Sequence, residues 1–297
     1  YAGKERRAGM AYVKILAPLT GNASDATVLA GAFAAAAPFK AHIVALFVRP
    51  DPAEAMPFFG EGVSGAMAQE IVDTAKEASD KASIEARGAL AAAAKDAGAV
   101  VVDRPEKRDM VSISFREVQG NFADRVTLAA RLSDLVVFGP LKQSDRPGMA
   151  EAFEATLLET GRPVILAAQT MPKNFARRIA IGWDGSGACA RALIAAMPYL
   201  ARAEAIELLS IRKPNTECES CGEVRDYLAL HGLACQERMI DAGSRGIGEV
   251  LLEAASQGGA DLLVLGGYGH KSLLQMFIGG VTKHVVAHAE LPLFLVH

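Results

Sequence analysis

Four glycines near the end of this 297-residue chain stand in a pattern that suits an anion: Gly266, Gly269, Gly279 and Gly280. Two residues separate the first pair, and nine more intervene before Gly279. Gly266 follows the apolar run DLLVL, and the second pair opens the helical pattern VTKHVVAH. A helix amino terminus presents unpaired N–H groups and a partial positive charge, which together attract phosphate. Glycine removes the side chain that would hold a phosphate at a distance. The spacing therefore predicts a phosphate cradle, with Lys271 and His270 adding positive charge beside it. Two familiar motifs are excluded. A P-loop needs glycine where His270 precedes Lys271 and Ser272, and a dinucleotide fingerprint needs glycine at Ser272.

The cysteines form a second candidate. Cys218 and Cys221 are spaced C-x-x-C, Cys235 follows, and His231 lies between. Thiolates so spaced chelate zinc, but structural zinc sites of the four-cysteine kind repeat the pair, and no second C-x-x-C is present. A redox pair ahead of a helix is the alternative, with Glu219 and Ser220 as poor intervening residues. An incidental loop is the third reading. Cys189 falls in a helical pattern and reads as a small buried residue. Nothing resembles a nucleophile–base constellation. Ser186 lacks G-x-S-x-G spacing, and His284 and His288 share a helix face without the glutamate of a metalloprotease pair. No catalytic residue is predicted.

The elements that must position these groups occur twice. VKILAPLTGN near the front matches RRIAIGWDGS at an offset of 164, and SDLVVFGPL matches ADLLVLGGY at an offset of 127. In the second copy, short runs rich in Leu, Ile and Val at 179–183, 205–211, 235–240, 261–265 and 293–296 alternate with helical patterns. Strands buried on both faces have this composition. The alternation implies right-handed crossovers, a parallel sheet and helices on both sides. The predicted fold class is therefore α/β: two tandem, doubly wound, five-stranded parallel-sheet domains, residues 10–173 and 174–297. The first copy carries an insertion at 51–98, a Pro/Gly loop and then a long alanine-rich helix. The insertion is either an ordered flap or a surface loop without a role. In such sheets ligands bind at strand carboxyl ends where the winding reverses, which is where Gly266 falls.

Composition narrows the function. The chain is 51% apolar and 22% charged with a net charge of −3, so it is globular and presents no basic face for nucleic acid. No apolar run reaches the roughly 18 residues of a membrane span. The residues ahead of Met10 carry charge but no apolar core, and read as a leader outside the fold rather than a secretory signal. All four cysteines lie in the second half, unlike a secreted disulfide framework, so a cytoplasmic location is expected.

With G-x-x-G, nine residues and G-G placed before the last helix and strand, and Asp184-Gly185-Ser186 ending the first strand of its copy, the sequence resembles the universal stress protein family. The resemblance extends over both copies and implies a tandem member with the adenine nucleotide alpha hydrolase-like fold. It implies ATP or AMP, with or without Mg²⁺, in the second copy. Asp184, with Gly185 and Ser186, would serve the ribose and adenine side, and backbone at Ile211 would meet adenine. Gly266, Gly269, Lys271, Gly279, Gly280 and Val281 would hold the phosphates. Gly280 replaces the usual Ser or Thr, so a hydroxyl is lost and the N–H stays. Trp183 either packs in the core or walls the adenine. Copy one departs further: Thr20 stands for the aspartate, Lys142 for the second glycine, and Ala152 and Phe153 for the second glycine pair. The resemblance also implies pairing of the last strands, 163–168 and 292–297, into an intrachain pseudo-dimer, and a homodimer of chains. The expected role is a nucleotide-binding sensor or regulator of the stress response acting on an unknown protein partner, with at most slow ATP hydrolysis. The rival reading is a nucleotide-free scaffold or ligand-binding module, with zinc or redox chemistry at Cys218 and Cys221, and Cys235 as a further metal ligand.

Overall fold

A computed structural model of the chain describes residues 11–50, 65–141, 147–212, 221–267 and 280–297. The residues before Met10, expected to be a leader, and the Pro/Gly stretch at the front of the insertion lie outside these residues. The strands are β1 (Lys14–Leu19), β2 (His42–Arg49), β3 (Val100–Val101), β4 (Ser112–Gln119), β5 (Leu135–Phe138), β6 (Val164–Leu166), β7 (Arg178–Gly182), β8 (Ala205–Arg212), β9 (Gln236–Asp241), β10 (Leu262–Gly266) and β11 (Leu293–Val296). They form one sheet in the order β3-β4-β2-β1-β5-β6-β11-β10-β7-β8-β9. All neighbours are parallel except β6 and β11. Each half winds outward from its first strand in both directions, which is the expected doubly wound order. The two-residue strand β3 is an addition in the first half. It was not anticipated because VV alone carries no periodicity.

The antiparallel seam joins the halves. Leu293 faces Leu166, Phe294 faces Ile165, and Leu295 faces Val164, all buried. Burying each such side chain stabilises by roughly 1.5–3 kcal/mol relative to exposure. The expected pairing of the last strands within one chain is thus the observed one. Two tyrosines cross the same seam in opposite directions. Tyr12 of the first half donates to the carbonyl of Ala195, and Tyr199 of the second donates to that of Ala35 at 2.9 Å. Tyr199 is wholly buried and its ring meets those of Tyr12, Phe39, Phe175 and Phe294 at centroid separations of 5.3, 5.0, 5.7 and 6.2 Å. Burial holds both phenols well above their ordinary pKa, so both remain donors.

The insertion's helical part is a single helix, Gly65–Asp96, of 32 residues. Ser83, Ala86, Leu90 and Ala94 are its buried positions, spaced three or four apart as a core-facing stripe requires. Glu117 at the end of β4 ties the helix to the sheet. It accepts from Ser83 Oγ at 2.9 Å, pairs with Arg87 at 3.1 Å and also pairs with Arg49. The helix runs so close to the end of β1 that a Cβ on Gly21 (φ +78°) would stand 2.6 Å from Ala82 Cα.

At the opposite edge, His42 is buried between two hydroxyls, with Nδ1 2.8 Å from Ser112 Oγ and Nε2 2.9 Å from Ser114 Oγ. Burial first, and then the Lys14 ammonium, hold the imidazole below its ordinary pKa of 6.5. Below about pH 6.5 the unfolded chain takes up a proton that the folded chain resists. Stability is therefore fully present above that pH and declines as pH falls toward the folded value. Urea denaturation should show this decline, and His42→Gln should flatten it. An unchanged profile in the variant would rule His42 out as its source.

Candidate functional site

The second half reverses its winding between β7 and β10. From β7 the chain proceeds outward to β8 and β9, then returns to place β10 and β11 on the other side. β7 and β10 are hydrogen-bonded in register, with Ile179 against Leu262 and Ile181 against Val264. The carboxyl ends of these two strands carry Asp184 and Gly266, so the two groups singled out more than 80 residues apart meet at the switch point.

Asp184-Gly185-Ser186 makes the turn from β7 into the helix Gly187–Leu200. Asp184 Oδ1 accepts from Ser186 N at 2.8 Å. Gly185 has φ +76°, a left-handed conformation that glycine adopts without strain. Ser186 is the N-cap, and its Oγ accepts from Cys189 N at 3.2 Å. The run DGS is thus a helix start as well as a candidate ribose site, and Asp184 and Gly185 are exposed there. Ile211 lies near the end of β8, half-buried and packed on the core of the opposite sheet face. Trp183 donates its backbone N–H to Leu209 and packs against the main core.

Gly266 sits against backbone of the helix that follows Asp184. A Cβ built on it would lie 2.6 Å from the carbonyl carbon of Ala188 and 2.9 Å from Ala188 Cβ. The missing side chain lets the helix after Asp184 seat against β10, which locks the two halves of the switch point together. Gly267 is buried; its Cβ would meet Leu157 Cδ2 of the first half at 3.0 Å, and its carbonyl oxygen lies 3.1 Å from His297 Nδ1. Gly280 opens the helix Gly280–His288, is exposed, and a Cβ on it would touch nothing within 4 Å among the described residues. Val281 beside it is 37% exposed. His270, Lys271, Gly269 and Gly279 lie outside the described residues. Arg191, absent from the sequence-based set, donates from Nε to the His297 carbonyl at 2.8 Å. An arginine one turn into an amphipathic helix gives no sequence signal of that kind.

The first half fills the equivalent place with its own atoms. Thr20 donates from N and Oγ1 to Asp25 Oδ1 at 2.8 and 2.9 Å, and Gly21 N donates to Oδ2 at 2.8 Å. Asp25 is wholly buried. Ala82 of the long helix lies over Gly21. The expectation for Ala152 and Phe153 needs correction. The last helix of the first half begins at Met149 with Gly148 (φ +83°) as its N-cap. Phe153 is buried a turn into it, edge-on to Phe138 at 5.8 Å. It is core and blocks no ligand. A constant offset of 127 does not hold here, because Pro163 and Pro292 ahead of the last strands stand 129 residues apart. Lys142 lies outside the described residues.

Among the described residues no group of three His, Cys, Asp or Glu could hold a metal ion. Cys221 opens the helix Cys221–Leu230 and is buried in the main core. Cys235 packs partly buried against that core, and burial, then Glu237, push its thiol pKa up. Cys218 lies outside the described residues. Cys189 is buried as expected. Burial and the Asp184 carboxylate push its thiol up to about 11, so it is un-ionised at neutral pH. His284 and His288 stack at 4.2 Å on their helix. Among the described residues no helix is long and apolar enough to cross a membrane.

Comparison with known proteins agrees with this architecture. Residues 228–297 match the model of the universal stress protein family. A universal stress protein from Archaeoglobus fulgidus superposes with a TM-score of 0.67 at 14% identity, covering 95% of this chain and 97% of that one. A functionally unknown protein from Pseudomonas aeruginosa PAO1 gives 0.56 at 15% identity, covering 96% and 92%. At these identities the likeness is one of fold. None of the curated proteins compared matches the sequence. The segment 228–297 is thus similar to the universal stress protein family, and nearly the whole length of the chain takes the fold of those structures.

Proposed function

We propose that the second half, residues 174–297, binds an adenine nucleotide, ATP or AMP, and that the first, 10–173, does not. The observation that carries this reading is the contrast between equivalent strand ends. Asp184 is exposed at a switch point in one half, while in the other Asp25 and Ala82 occupy the corresponding place. A carboxylate suits sugar hydroxyls, the half-buried end of β8 at Ile211 suits a base, and glycine N–H groups at a helix start suit phosphate. Gly269, Lys271, Gly279, Gly280 and Val281 would complete the phosphate side. A Mg²⁺ ion would accompany the phosphates rather than sit in a protein cage. Such a protein acts in the cytoplasm as a regulator, by shifting populations on binding rather than by turnover.

The test is direct. Acid-denatured protein should release ATP or AMP detectable by mass spectrometry, or millimolar ATP should raise the melting temperature of nucleotide-free protein. Ligand at a hundred times Kd stabilises by about 2.7 kcal/mol. Neither release nor a shift would overturn the reading. Gly280→Ser should tighten binding about tenfold, because a hydrogen bond to a charged group contributes about 1.5–3 kcal/mol and no described residue would meet a Cβ there within 4 Å. Isothermal titration of the two proteins would measure the difference.

A further inference from the structure

Beside the seam lies a cleft of about 410 Å³ that neither half could form alone. Tyr12, Asp134 and Arg162 line it from the first half, and Arg191, Ile194 and Pro198 from the second. None of the nucleotide residues proposed above is among its walls. Its volume falls in the range of small-molecule sites.

The walls combine apolar surface with cation charge that the fold leaves incompletely used. Ile194 is 47% exposed on an otherwise well-packed helix, and Pro198 and the Tyr12 ring extend that apolar surface. Among the described residues the one side-chain carboxylate of the lining is Asp134, whose Oδ2 is engaged at the start of β1, accepting from Val13 N at 2.8 Å and Lys14 N at 2.9 Å. Arg162 Nη2 donates to the Arg131 carbonyl at 3.1 Å. Its Nε is buried away from the cleft, which leaves the terminal nitrogens to meet a ligand. Arg191 spends its Nε on the His297 carbonyl, and its terminal nitrogens make no hydrogen bond or ion pair among the described residues. Two guanidinium groups thus stand with a single side-chain carboxylate among the lining residues, and a guanidinium fork matches a carboxylate in geometry as well as charge.

We propose that this cleft is a second ligand site, separate from the nucleotide edge, and that it takes a small organic carboxylate. The head would lie on Arg162 and Arg191, and an aliphatic or aromatic body would lie on Tyr12, Ile194 and Pro198. Because both halves supply a wall, its occupant also bears on how the halves hold together.

The experiment uses the full chain and 8-anilinonaphthalene-1-sulfonate, a fluorescent anion with an apolar body. Its fluorescence should saturate at one site per chain, be displaced by octanoate, and resist octylammonium and ATP. The double variant Arg162→Gln, Arg191→Gln should weaken both ligands at least tenfold. Ile194→Trp, a surface substitution that fills the cleft, should do the same in a chain whose melting temperature stays near that of the wild type. Non-saturable fluorescence, displacement by octylammonium as readily as by octanoate, displacement by ATP, or wild-type affinity in both variants would each overturn the proposal.

Discussion

Gly266→Ala should destabilise the chain by about 3 kcal/mol or more, at the upper end of overpacking costs, lowering the denaturant midpoint and the melting temperature by roughly 5–10 °C. The reason is the identity of the obstructing atoms. The new methyl group would lie 2.6 Å from the Ala188 carbonyl carbon, backbone at the start of the helix that Asp184 and Ser186 cap. A side chain could rotate away; this helix start is pinned by Ser186 Oγ on Cys189 N and by the Cys189 thiol on the Gly182 carbonyl at 3.4 Å. Relief therefore means shifting the helix off β10. Gly267→Ala is the control. Its methyl would meet the flexible end of Leu157 at 3.0 Å, so its cost should be no more than about 1 kcal/mol, the lower limit of overpacking. Urea denaturation of the two variants decides the matter. If Gly266→Ala is within 0.5 kcal/mol of wild type, the ordinary range for surface changes, the packing explanation of that glycine fails.

This pair shows where sequence reasoning reaches and where it stops. The repeat, the switch point and the pairing of β6 with β11 were all legible, because each follows from local pattern and a general rule of parallel sheets. The run DLLVL ending in glycine placed Gly266 at a strand end. What Gly266 touches was not legible, since Ala188 is distant in sequence and carries no signal of its own. Asp25 is a similar case. As the residue immediately after NAS it reads as an ordinary acidic group in a helix's first turn. Only the fold reveals that it is wholly buried and takes three donors from Thr20 and Gly21. Phe153 failed for another reason: loop lengths differ between copies, and a fixed offset cannot follow such a change past the strand that anchors it. The cleft between the halves is the extreme case, because its walls come from segments that share no motif.

Asp184→Ala should weaken ATP binding by about tenfold to a hundredfold, and Asp184→Asn should do nearly as much while leaving the fold intact. The two substitutions separate roles that the wild-type carboxylate combines. Its Oδ1 accepts from Ser186 N and so helps turn β7 into the following helix. Asparagine retains a carbonyl oxygen for that bond and is as good a turn former; alanine retains nothing. The alanine variant should therefore also lose about 1 kcal/mol of stability, in line with the loss of a helix-start cap. A sugar hydroxyl pair donating to the carboxylate gains about 1.5–3 kcal/mol from its charge, and both variants forfeit that. Isothermal titration with ATP, alongside urea denaturation of the nucleotide-free proteins, separates the outcomes. If Asp184→Asn binds ATP as tightly as wild type, the carboxylate serves only the turn, and the ribose must be held elsewhere. If binding falls in both variants while stability falls only in the alanine one, the exposed end of β7 has two functions on one side chain, and Thr20 at the matching position of the first half, bonded to the buried Asp25, accounts for why that half has kept only the structural one.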